Sequence, residues 1–169
     1  MGFIAKSGSR CALVLAGAFF FVLTERSYSA TATTTLAVQV TITATCTINS
    51  ASALNFGTQG ILAANADQTS TIQVTCTNST PYNIGLNAGT GTGATVATRK
   101  LTNGAATVNY TLYSNSGRTT VWGNTVGTDT VAGTGNGSAQ SYTVYGRIPA
   151  QTTPAPGTYT DTITVTVSY

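Results

Sequence analysis

A chain of 169 residues with no histidine, 7 basic and 4 acidic residues has few groups for acid–base chemistry and none of the density needed to grip a polyanion. Its net charge of +3 falls further once a leader is set aside, because the charges that remain are Arg99, Lys100, Arg118 and Arg147 against Asp67, Asp129 and Asp161. Nucleic acid is therefore not an expected partner, no cofactor is expected, and without histidine or a close cysteine pair no metal site is expected either.

Lys6 and Arg10 precede an uncharged apolar run from Cys11 to Leu23 that is too short to span a bilayer. This reads as a secretory signal. The small residues Ala30-Thr31-Ala32 place the cut after Ala32, with cuts after Ser29 or Ala30 as alternatives. Removing residues 1–32 from 169 leaves 137, enough for one domain. Two cysteines remain, Cys46 and Cys76, and in an oxidising compartment their default state is a disulfide.

Directly behind the leader, Leu36, Val38, Val40, Ile42, Ala44, Cys46 and Ile48 put an apolar or thiol side chain at every second position. A period of two predicts a long strand with one apolar face. Leu54-Asn55-Phe56-Gly57 follows, then a loop through Ala63 to Asp67. Ile72, Val74 and Cys76 share one face of a strand over Thr71–Thr77, and Tyr82, Ile84 and Leu86 share one face of the next. A Gly-rich segment from Asn87 to Gly93 and the pair Arg99-Lys100 read as solvated loop. Val108, Tyr110 and Leu112 alternate again, and the turn cluster Ser114 to Gly117 predicts a hairpin into Thr119–Trp122. After a loop with a weak strand near Thr130, Ser141–Arg147 resumes a strand. The chain is broken by Pro149, Pro154 and Pro156, and a last strand runs from Tyr159 to Tyr169 with Tyr159, Ile163, Val165, Val167 and Tyr169 on one side.

Six to eight short strands with regular turn signals and one disulfide describe an all-β, immunoglobulin-like sandwich, with a jelly roll as the alternative. The two ends raise a second question. The final strand has an apolar face, one charge at its beginning (Asp161), and no later strand in the sequence to cover its free edge. The leading strand is either folded into its own sheet or donated to a neighbouring molecule. Pinning at Cys46 would leave residues 33–45 as a separate arm. Pilins complete one another in that way, and a head-to-tail contact that does not close makes a fibre.

The residues that carry a wider likeness are Leu54-Asn55-Phe56-Gly57, Ile72-x-Val74-x-Cys76, Tyr82-x-Ile84-x-Leu86, Tyr110-x-Leu112-Tyr113, Trp122-Gly123, and Gly157-x-Tyr159-x-Asp161 running to Val165-x-Val167-x-Tyr169. In this order they resemble the spore coat protein U family, which includes subunits of archaic chaperone-usher pili. The resemblance covers essentially the whole mature chain. It implies an incomplete immunoglobulin-like sandwich completed by donor-strand exchange, divided as signal peptide 1–32, donor arm 33–45 and pilin-like domain 46–169. Leu36, Val38, Val40, Ile42 and Ala44 would be donor side chains. Phe56, Ile163, Val165, Val167 and Tyr169 would line the acceptor groove, and Cys46 and Cys76 match the family disulfide.

The implied partners are neighbouring pilin subunits in a head-to-tail polymer, a periplasmic chaperone and an outer-membrane usher. The implied destination is a surface fimbria used in adhesion and biofilm formation. A secreted spore-coat or matrix protein without an ordered fibre is the alternative. An enzyme is not expected from three scattered mature aspartates and one mature lysine. Trp122 and the tyrosines read as core or cross-strand partners before they read as a sugar-stacking surface.

Overall fold

The computed structural model describes residues 25–169; the apolar run Cys11–Leu23 lies outside the described residues. The chain divides into two units, Met1–Gln39 and Val40–Tyr169. In the first, residues 25–39 carry neither strand nor helix. The second holds eight strands: β1 (Cys46–Ala51), β2 (Ala66–Cys76), β3 (Pro81–Leu86), β4 (Arg99–Asn103), β5 (Ala106–Tyr113), β6 (Val131–Thr134), β7 (Ala139–Ile148) and β8 (Val165–Ser168).

These form a five-stranded sheet in the order β1-β2-β7-β5-β4 and a three-stranded sheet in the order β6-β3-β8, with antiparallel pairing throughout. The period-two pattern decides which side chains face inward. Ile72, Val74 and Cys76 from β2, Tyr82, Ile84 and Leu86 from β3, and Val108, Tyr110 and Leu112 from β5 form one core with Val144, Ile148, Phe56, Leu62 and Trp122. The fold is an all-β, immunoglobulin-like sandwich. Trp122 is fully enclosed, and its indole N–H donates to the Ile84 carbonyl at 2.8 Å, so the apolar body is buried with its one donor satisfied. Cys46 and Cys76 are joined in a disulfide across the first pair of the β1–β2 ladder.

Four expectations need correction. The leading strand is not continuous from Leu36: β1 begins at Cys46, and residues 25–45 belong to no strand. Alternation supplies one apolar face but not the neighbour that a strand's N–H and C=O groups require. Arg99-Lys100 is not solvated loop; Arg99 is fully buried and opens β4. Its guanidinium donates to the carbonyls of Asn87, Val96, Leu86 and Trp122 at 2.7–2.9 Å, which offsets the desolvation that would otherwise exclude it. Thr119–Trp122 forms a single bridge, Tyr113 to Val121, rather than a strand. The last strand is short. Only Val165–Ser168 pairs with β3, and Thr160 makes an isolated bridge to Thr102.

Candidate assembly site

β8 is an edge strand. Its one partner is β3, through Val165–Leu86, Thr166–Gly85, Val167–Ile84 and Ser168–Asn83. The other edge of β8 pairs with no described strand, and β1 likewise closes the larger sheet with a free edge. Between these edges a groove of about 320 Å³ opens. Its walls are Leu54 and Phe56 on one side and Ile163 and Val165 on the other, over a floor that includes Ile72, Leu112 and Val144. A wider cavity of about 950 Å³ shares Leu54, Phe56, Leu101 and Asp161 with it and runs beneath the Pro154–Thr160 segment.

Local chemistry sets each wall. Phe56 is buried edge-on to Tyr110 with ring centroids 6.2 Å apart. Gly146 in β7 leaves room for Leu54, since a Cβ there would meet both Leu54 methyls. Asp161 fixes the segment leading into β8. Its Oδ1 accepts from the Thr90 N–H and hydroxyl at 2.8 and 2.9 Å, and its Oδ2 accepts from the Tyr110 hydroxyl at 2.7 Å. Burial, then this bond to Asp161, pushes the Tyr110 hydroxyl's pKa well up. Asn87 continues the alignment, donating to the Thr164 carbonyl and accepting from its N–H. Gly89 must be a glycine here, because its φ is +84° and a Cβ would run into the Asp161 carboxylate.

Phe56, Ile163 and Val165 line the same groove. Val167 is half-buried against the core further along β8, and Tyr169 is 62% exposed at the end of the strand. The arm residues present their alternating side chains to solvent: Leu36 and Val38 are each 87% exposed, Val40 80% and Ile42 73%, and Ala44 is exposed as well. Leu54, Leu101 and Asp161 were not among the residues expected at the groove. The signal for Leu54 was its position two before Phe56, which puts both on one face. Leu101 was hidden inside Arg-Lys-Leu-Thr-Asn, a run that reads as polar loop until Arg99 is seen to be buried.

A comparison with protein families matches residues 32–166 to the Spore Coat Protein U domain. The chain belongs to that family. Among curated proteins, Protein U of Myxococcus xanthus is 33% identical over 128 residues, covering 69% of this chain and 71% of the relative. Among solved structures, a chain of the crystal structure of the CsuC-CsuE chaperone-tip adhesion subunit pre-assembly complex, from archaic chaperone-usher Csu pili of Acinetobacter baumannii, matches with a TM-score of 0.55 and 27% identity. That match covers 76% of this chain but only 40% of the solved chain. The groove and the Gly-x-Tyr-x-Asp junction described above both fall inside the Spore Coat Protein U match.

Proposed function

We propose that this Spore Coat Protein U chain is a subunit of a chaperone-usher pilus, held by a periplasmic chaperone, passed to an outer-membrane usher and polymerised head to tail by donor-strand complementation into a surface fimbria for adhesion and biofilm formation. The observation that carries the reading is the pairing of an exposed apolar arm that alternates from Leu36 to Ala44 with an apolar groove beside the unpaired edge of β8. An extended segment added to a free edge gains main-chain hydrogen bonds, and pockets read its alternate side chains.

In this reading Leu36, Val38, Val40, Ile42 and Ala44 of one subunit enter the groove of the next, alongside Phe56, Ile163, Val165, Val167 and Tyr169. Burying the four larger arm residues at roughly 1.5–3 kcal/mol each offers about 6–12 kcal/mol before ordering costs. A slip of one residue would turn Gln39, Thr41 and Thr43 toward the apolar lining, so alternation also fixes register. The solved Csu complex supports the partner class, and the family match supports the assignment of the domain.

The test is deletion of residues 33–44 in cells that supply chaperone and usher. Loss of fibres by electron microscopy, with the truncated chain still captured by the chaperone, is the expected result. Fibres of normal length from the truncated chain would reject the reading. The family name favours the second reading, a coat or matrix protein without an ordered fibre; it predicts unchanged deposition of the truncated chain.

A further inference from the structure

If the arm is to join two molecules, something must keep it out of the groove of its own domain. We infer that Thr77, with the Cys46–Cys76 disulfide, is a positioning latch that prevents the arm from folding back; the inference rests on the donor-strand reading. The argument is one of poles. β2 ends at Cys76 and β3 begins at Pro81, so the starts of β1 and β3 lie at one pole, and the Ser168–Asn83 pair puts the end of β8 there too. The groove opens toward the other end, at Ala51–Leu54 and Asp161–Val165.

The arm, by contrast, leaves from Cys46. To reach its own groove it must reverse direction at residues 43–46 and run back along β1 as a hairpin, which also makes it parallel to β8, the less stable pairing. Those same residues are held in line with β1. The Thr77 N–H donates to the Thr45 carbonyl at 2.9 Å, prolonging the β1–β2 ladder beyond its disulfide pair. The Thr77 hydroxyl accepts from the Thr45 N–H at 3.1 Å, and its single proton is shared between the carbonyls of Thr43 and Thr45 at 3.3 and 3.2 Å. A hairpin turn at 43–46 breaks these bonds and strains against the covalent pin. An arm entering a second molecule leaves them intact.

The test uses the processed full chain, wild type, Thr77→Val and Thr77→Ser, kept dilute so that it is monomeric, with hydrogen exchange read on residues 36–42 and on β8. Wild type and Thr77→Ser are expected to show unprotected arm amides. Thr77→Val, lacking two hydroxyl bonds, is expected to show arm protection raised roughly three- to tenfold, and at higher concentration a matching loss of polymer in favour of monomer. Reduction of the disulfide in wild type should act in the same direction and serves if Thr77→Val folds poorly. Equal, absent arm protection in Thr77→Val and in the reduced chain overturns the latch, as does a protected arm in dilute wild type. Failure of wild type to polymerise at any concentration with chaperone and usher present rejects the donor-strand reading instead, and leaves the exchange comparison to decide the latch by itself.

Discussion

Tyr110 and Asp161 meet at 2.7 Å, the hydroxyl of a core tyrosine donating to a carboxylate at the rim of the groove. The contact couples β5 in the large sheet to the segment that leads into β8. Asp161 in turn holds Thr90 through two further bonds, so one side chain fixes the groove wall, the Gly-rich loop and the core together.

Asp161→Ala should therefore cost more than Tyr110→Phe. The first leaves a buried hydroxyl without its acceptor, a loss of about 1–3 kcal/mol, whereas the second leaves the carboxylate with its remaining donors and should cost about 0.5–1.5 kcal/mol. Urea midpoints at constant slope measure both. Equal losses would show that the tyrosine bond, not the Thr90 bonds, carries the junction.

Burial and hydrogen bonding raise the pKa of both Tyr110 and Tyr82, the latter chiefly by desolvation and then by its 2.6 Å contact with the Tyr142 hydroxyl. A raised folded pKa gives stability that is fully present below the unfolded value near pH 10 and lost as pH climbs past it toward the folded value. Unfolding midpoints are expected to hold from pH 7 to about 9.5 and to fall above about 10. Tyr82→Phe should shrink that fall; an unchanged alkaline limb would place the titrating group elsewhere.

At the acid end the informative group is Asp67, bonded in a two-pronged pair by Arg147 at 2.7 Å and approached by Arg118 at 3.3 Å. The Arg147 bond holds its carboxyl below the usual range, against a smaller opposing effect of burial. A depressed folded pKa gives stability that is present above about pH 4 and lost as pH falls through the folded value. The pair is solvent-exposed and screened, so the amount is small. Asp67→Asn should lower the midpoint slightly at pH 7 and leave little difference from wild type near pH 2.

Arg99 is the larger structural stake. It is 0% exposed and gives donors to carbonyls on the β3 end, the loop before β4 and Trp122. Arg99→Ala should destabilise by about 3 kcal/mol or more, because several acceptors lose a charged donor at once. Arg99→Lys should recover only part of that, since an ammonium cannot match the planar fork. Thermal and urea unfolding of the two variants would separate loss of charge from loss of geometry.

Arm and groove substitutions should divide by compartment. Val40→Asp and Ile42→Asp alter side chains already exposed to solvent, so under the proposed donor-strand assembly folding and capture by the proposed chaperone should match those of wild type. Fibre assembly should fall by at least tenfold, given roughly 1.5–3 kcal/mol per buried side chain. Ile163→Asp, on the groove wall, should damage both chaperone capture and assembly. A Val40→Asp chain that polymerises normally would remove this residue from the donor set.

Alternation alone gave the inward faces of β2, β3 and β5, because a half-buried strand must repeat every two residues whatever it packs against. The same rule misjudged Arg99-Lys100, since charge signals solvent only when no set of carbonyls is arranged to receive a guanidinium, and that arrangement comes from three separated segments. It also drew the terminal strand too long, because Tyr159–Ile163 has the right period but pairs with almost nothing. Leu101 was missed for the same reason as its neighbour Arg99.

What the sequence by itself determined is the composition of the faces: a charge-poor, all-β chain with two pairable cysteines and an alternating apolar segment from Leu36 to Ala44. These are local properties, fixed by a two-residue period and by side-chain chemistry. What only the tertiary structure decided is which edges stay unpaired, where the groove lies between Leu54, Phe56, Ile163 and Val165, and that Cys46 sits at the pole opposite its opening. Pairing partners and poles depend on contacts between residues far apart in the chain, and no periodicity along a single strand encodes them.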